Sequence, residues 1–173
     1  MEALRRICLI GPECTGKTTA AKTLAAHYGT VWVPEAAREH ALAVGRPLTV
    51  DDHGLIAHRH LVNESRLAPD ARGVLILDCD LVSTVVYARH YYGVCAPWVL
   101  DHARARLADD YLLFDVDLPW AYDTVRDPGH DRELLRNEFA ATLRELGGAV
   151  SVIRGKERAT PWAFAPAGKD RRL

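Results

Sequence analysis

The chain has 173 residues, room for one domain of about 150 residues but not for two of full size. Apolar residues make up 49% of it and charged residues 26%, which excludes a disordered, collagenous or mucin-like chain. Lys and Arg total 22 against 23 for Asp and Glu, so the net charge is -1 and no global basic field exists to hold a nucleic acid by its phosphates.

Strand-like and helix-like stretches alternate along the chain. Ile7 to Ile10 is a short apolar run, predicted as a buried strand and ended by Gly11-Pro12. Lys17 to Tyr28 carries Ala20, Ala21, Leu24 and Ala25 at helical spacing and stops at Gly29. Thr30 to Val33 is β-branched and aromatic, a second strand. Glu35 to Val44 reads as a helix closed by Gly45-Arg46-Pro47. Thr49 or Asp51 is positioned to cap a further helix that runs to about Ala68. Val74 to Asp78 is continuously apolar up to its terminal acid, as in a strand covered on both faces. Leu81 to Tyr92 and Pro97 to Leu107 are two more helices, Tyr111 to Phe114 a fourth strand, Arg132 to Leu146 a helix and Ala149 to Ile153 a fifth strand. From Arg154 onward, Pro161, Pro166 and Gly168 with little periodicity predict a loop and an irregular tail. The alternation predicts an α/β fold with a five-stranded parallel sheet and helices on both faces.

Cys8, Cys14, Cys79 and Cys95 include no C-x-x-C pair, so neither a zinc ribbon nor a redox motif is present, and reduced thiols are expected. The apolar run after Arg6 is too short for a signal-peptide core, and none reaches the ~18 residues of a membrane span. The expected location is the cytoplasm, with neither membrane nor nucleic acid as partner. His58 and His60 lack zinc-ligand partners at suitable spacing and point to different sides of a helix, so ordinary surface or pocket roles are expected.

Gly11-Pro12-Glu13-Cys14-Thr15-Gly16-Lys17-Thr18 fits the phosphate-binding pattern G-x-x-x-x-G-K-S/T. Such a loop wraps a phosphate with backbone N–H groups, and its glycines permit the close approach. Lys17 is suited to the β and γ phosphates, and the Thr18 hydroxyl to Mg²⁺. Cys14 reads as a small filler rather than a nucleophile. The acid that ends the apolar strand, Asp78, is a second candidate for Mg²⁺. Asp80 lies two residues on; it either serves a substrate hydroxyl or caps the next helix. Glu35 follows the second strand, where a carboxylate can bind an acceptor hydroxyl or take its proton; the other reading is an acid at a helix N-terminus. Arg38, one turn on, is suited to orienting Glu35 or reaching a phosphate. Arg126 and Arg132 flank the turn-rich segment Asp127-Pro128-Gly129-His130-Asp131, a candidate lid.

Four motifs in this order resemble the ribosylnicotinamide kinase domain of NadR-type proteins. They are the loop Gly11 to Thr19; Trp32-Val33-Pro34-Glu35-Ala36-Ala37-Arg38-Glu39; Leu77-Asp78-Cys79-Asp80 followed by Thr84; and Pro119-Trp120-Ala121-Tyr122-Asp123-Thr124-Val125-Arg126. The resemblance runs from about Ile7 to Arg158. It departs at Thr124, where the family often has Gly, at Cys79, where it usually has Thr, and at His60, near a common Gln.

The resemblance implies a P-loop kinase architecture over residues 1–158, with a lid near 117–132 and an irregular tail over 159–173. It implies ATP and Mg²⁺ as cofactors, a small nucleoside as partner, and transfer of a phosphoryl group to the 5′-hydroxyl of nicotinamide riboside in NAD biosynthesis. The implied catalytic residues are Lys17, Glu35, Asp80, Arg126 and Arg132. Gly11, Glu13, Cys14, Thr15, Gly16, Lys17, Thr18, Thr19 and Arg158 are implied at the nucleotide. Glu35, Arg38, Asp80, Trp120 and Asp123 are implied at the acceptor, and Thr18 and Asp78 at the metal. The adenylyltransferase and DNA-binding segments that NadR-type proteins also carry are not expected in this length. Two alternatives stay open: a kinase of another nucleoside or small alcohol, and a nucleotide-dependent switch. Stacking on the planar cation has Trp32, Tyr87, Tyr91, Tyr92, Trp98 and Trp120 as candidates.

Overall fold

The computed structural model describes residues 4–119 and 131–160. Trp120, Asp123, Arg126 and the larger part of the candidate lid lie outside the described residues, as does the chain from 161 onward.

Five strands form one parallel sheet in the order β2-β3-β1-β4-β5. They are β1 (Arg5–Ile10), β2 (Trp32–Val33), β3 (Val74–Asp78), β4 (Asp110–Phe114) and β5 (Val150–Ile153). The helices are α1 (Lys17–Tyr28), α2 (Ala36–Val44), α3 (Asp52–Leu67), α4 (Leu81–Tyr92), α5 (Pro97–Ala105) and α6 (Arg132–Leu146).

Strand side chains alternate between two faces, and in the central strands both faces are buried. Ile7 and Leu9 join Ile76, Leu112 and Phe114 under Ala20, Ala21 and Leu24 of α1. Cys8 and Ile10 join Leu75, Leu77, Tyr111 and Leu113 under α4, α5 and α6, through Val82, Val99 and Phe139. Burial on both faces is why these strands read as continuous apolar runs. The helices that follow neighbouring strands β1 and β3, α1 and α4, therefore cover opposite faces. A crevice opens between them at the carboxyl ends of those strands, the usual ligand position in such sheets.

Some boundaries differ from the sequence expectation. The second strand is Trp32–Val33 only. Thr30 uses its side chain instead: its hydroxyl donates to the Val74 carbonyl at 2.7 Å and accepts from the Arg72 amide at 2.9 Å. Neither Thr49 nor Asp51 caps α3 with its side chain. The Asp52 carboxylate turns back to accept from the Thr49 amide at 2.7 Å, and it also takes Arg46 at 2.7 Å and His40 at 2.9 Å. Gly155–Ala159, expected as loop, is a 3₁₀ turn closed by Glu157, which accepts from the Arg154 amide at 2.7 Å. The four cysteines are free thiols. Among the described residues, no helix is long and apolar enough to cross a membrane.

Gly148, between α6 and β5, sits tightly against its neighbours. A Cβ there would lie 3.0 Å from Leu143 and 3.1 Å from the Tyr111 ring. Gly148→Ala is expected to lower stability by about 1–3 kcal/mol through overpacking, read as a lower urea midpoint with an unchanged slope.

Candidate active site

The loop from Gly11 to Gly16 joins β1 to α1 and is held by its own backbone. Gly11 has φ 137°, Cys14 55° and Gly16 90°. A Cβ on Gly11 would lie 2.8 Å from the Phe114 carbonyl oxygen, so only glycine fits beside β4. Cys14 takes the left-handed conformation at some energetic cost, as residues in anion-binding loops do. Within the loop, the Thr15 hydroxyl and the Lys17 ammonium both donate to the Pro12 carbonyl, at 2.9 and 2.6 Å. Both side chains are buried. The Thr18 hydroxyl, in the first turn of α1, donates to Asp78 at the end of β3, at 2.6 Å. Thr19 is exposed.

Two arginines grip the loop from later in the chain. Arg132, the first residue of α6, donates to the Cys14 carbonyl at 3.2 Å and to the Leu118 carbonyl at 3.1 Å. Arg158 donates to the Thr15 carbonyl at 2.9 Å and to the Asp115 carbonyl at 2.8 Å, and it pairs with Asp117. Arg158 holds the Asp117 carboxyl down to about 2. The sequence places Arg158 only by resemblance; the fold shows it bonded to the loop.

Two cavities meet beside this loop. The larger, about 760 Å³, lies between α2, α3 and α4 and is lined by Glu13, Glu35, Arg38, His60, Asp80 and Tyr87, among others. The smaller, about 180 Å³, includes Thr18, Lys22, Trp32 and Asp78. Glu35 and Arg38 line both. Of the aromatic candidates, Tyr87, Tyr91 and Tyr92 reach the larger cavity and Trp32 the smaller. Trp98 packs near Gly54 and edge-on to His102 instead.

Asp80 is the helix cap that is one of the two expectations for it, and it also lies on a cavity wall. It lines the larger cavity, and it caps α4 by accepting from the Val82 amide at 2.9 Å. Its other oxygen accepts from the Tyr111 hydroxyl at 2.6 Å. Burial pushes its carboxyl above the ordinary value, against the pull of these donors. Tyr111 is fully buried on β4 and in turn accepts from the Ala108 amide at 3.1 Å.

The helix pair His58 and His60 divides as expected, one exposed and one buried on the cavity wall. His60 faces Glu64 at 3.3 Å, and Glu64 takes Arg6 and Arg106, each at 3.0 Å. Burial raises the Glu64 carboxyl, but His60 and the two arginines outweigh burial and hold it below the ordinary value. Sequence reasoning missed Glu64, Arg6, Arg106 and Tyr111. Arg6 and Glu64 are 58 residues apart and Tyr111 and Asp80 are 31 apart, so no local spacing announces either pair.

A parallel sheet with this strand order, a lysine-bearing glycine loop and an acid at the neighbouring strand end define a P-loop protein of kinase fold. The chain belongs to the AAA_28 family, described as an AAA domain, whose model matches residues 6–159. It is 27% identical over 148 residues to the trifunctional NAD biosynthesis/regulator protein NadR of Salmonella typhimurium, covering 82% of this chain and 36% of that protein. Identity to the Escherichia coli protein of the same name is also 27%, over 160 residues, covering 89% and 38%. The chain thus spans little more than a third of these relatives. A crystal structure of NadR protein in complex with NR superposes with a TM-score of 0.78 at 21% identity, covering 98% of this chain and 53% of the other. Thymidylate kinase from Ehrlichia chaffeensis superposes at 0.62 with 17% identity, covering 86% and 87%.

Tyr111→Phe is expected to lower stability by about 1–3 kcal/mol in urea titration. It leaves a buried Asp80 oxygen and the Ala108 amide without their partner.

Proposed function

We propose that this protein is an ATP- and Mg²⁺-dependent phosphotransferase acting on the 5′-hydroxyl of nicotinamide riboside, in NAD biosynthesis. The observation that carries this reading is the position of Glu35. It lines the small cavity that holds Thr18 and Asp78 and also the large cavity beside it. One carboxylate therefore stands between a nucleotide side and an acceptor side.

The roles follow from elementary chemistry. The loop amides and Lys17 bind the β and γ phosphates. A threonine hydroxyl and a carboxylate 2.6 Å apart are hard oxygen donors of the kind Mg²⁺ prefers, so Thr18 and Asp78 fit that ion. Bound there, Mg²⁺ supplies charge neutralisation on the phosphate oxygens. Glu35 orients the acceptor hydroxyl and takes its proton as the oxygen bonds to the γ-phosphorus and the bond to the ADP oxygen breaks. Arg38, one turn of α2 away, orients Glu35. Asp80 anchors the start of α4 at the acceptor cavity. Arg132 and Arg158 keep the loop in its binding shape. Trp120, Asp123 and Arg126 join the site on the resemblance alone, as acceptor contacts and a lid arginine.

The NadR relatives and the structure of NadR protein in complex with NR support nicotinamide riboside as the acceptor. The large cavity favours transfer over a nucleotide-dependent switch, which needs no second cavity. Another nucleoside is the second reading, favoured by His60 on the cavity wall and by the likeness to thymidylate kinase. The proposed location is the cytoplasm, consistent with four free thiols.

Incubation with MgATP and nicotinamide riboside is expected to yield nicotinamide mononucleotide and ADP in equal amounts. Lys17→Ala and Glu35→Gln are each expected to lower kcat/KM by about 100-fold or more. Phosphorylation of a different nucleoside with the riboside untouched would overturn the acceptor assignment. ATP hydrolysis that no acceptor stimulates would overturn transfer itself.

A further inference from the structure

Glu13 belongs by sequence to the phosphate loop and was expected at the nucleotide. It lines the large cavity with Glu35 and Asp80, whereas the small cavity is lined by Thr18 and Asp78 and not by Glu13. Tyr87 of α4 lines the same cavity, and burial together with the nearby Glu13 carboxylate pushes its hydroxyl above the ordinary value. Tyr87 is itself fixed, edge-on to Phe139 at 5.6 Å and parallel to Tyr91 at 6.0 Å between ring centroids. A residue of the nucleotide loop thus lies beside a helix of the acceptor cavity.

Electrostatics fits this orientation. A carboxylate turned toward a triphosphate is repelled, while one turned into the cavity meets neutral hydroxyls it can accept from. The acceptor side also needs such a group. A riboside carries two ring hydroxyls besides the one that reacts. Asp80 is engaged by Val82 and Tyr111, and Glu35 stands at the junction of the cavities. Glu13 is the remaining carboxylate of the three.

We infer that Glu13 is an acceptor-binding residue: its carboxylate, positioned by Tyr87, accepts a hydrogen bond from a ribose hydroxyl and makes no contact with ATP. This rests on the phosphotransfer reading given above. It divides the loop's labour, with backbone and Lys17 for the nucleotide and the side chain at position 13 for the acceptor.

The test is calorimetric binding of nicotinamide riboside and of the ATP analogue AMP-PNP, titrated separately into the wild-type protein, Glu13→Ala and Tyr87→Phe. Glu13→Ala is expected to weaken the riboside by about 10-fold, the loss of one charge-assisted hydrogen bond, and to leave AMP-PNP within about 2-fold. Tyr87→Phe is expected to weaken the riboside by about 3-fold with the same AMP-PNP affinity. Retained AMP-PNP affinity also reports that each variant is folded. Glu13→Ala that weakens AMP-PNP while the riboside still binds as in wild type overturns the inference and leaves the proposed reaction standing. Wild-type protein that neither binds nor phosphorylates the riboside overturns the reaction instead. The AMP-PNP arm then decides by itself: a loss in a variant that melts at the wild-type temperature overturns the placement of Glu13, and an unchanged affinity supports it.

Discussion

The contact between Gly11 and the Phe114 carbonyl is the constraint on which the rest of the site depends. The two backbones approach so closely that a Cβ would lie 2.8 Å from the oxygen. This packs the loop against the end of β4 and sends the chain into α1 with Lys17 and Thr18 in the first turn. Because β1 pairs with β3 through Leu9 and Asp78, the same geometry brings Thr18 onto Asp78. One steric restriction thus aligns a loop, a helix start and a strand end that are far apart in sequence.

The acids in and around the crevice are held in different ways, and the difference bears on what each can do. Asp80 is buried, capped and hydrogen-bonded, with its carboxyl raised, and it organises α4. Glu64 is equally buried but ringed by Arg6, Arg106 and His60, which keep it charged. Asp117 is charged through Arg158, outside the cavity wall. A chain with a net charge of -1 accommodates this many carboxylates at one edge because basic groups are placed beside them.

The sheet was legible because its strands are buried on two faces, so Val74 to Asp78 and Tyr111 to Phe114 read as unbroken apolar runs. The loop and Asp78 were legible because their chemistry is contiguous in sequence. What was not legible depends on distance. The Gly155–Ala159 turn is closed locally by Glu157, but Arg158 in it also bonds the Thr15 carbonyl, a partner no local pattern names. The N-terminus of α3 went to Asp52, because three donors from the preceding segment converge on that carboxylate and leave Thr49 a donor rather than a cap. Glu13 lines the larger cavity beside a tyrosine on α4, and the motif containing Glu13 carries no information about that neighbour.

The arginine clasp on the loop has a consequence for how the protein comes into being. Its bonds close over 118 residues for Arg132 and 143 for Arg158. Synthesis runs from the amino end, so the glycine loop, β1 and α1 emerge early and wait. The nascent chain carries the whole phosphate-binding motif long before it carries the side chains that clasp the motif's carbonyls. The fully clasped nucleotide site is thus among the last parts of the domain to be assembled, although its recognisable sequence is among the first to be made.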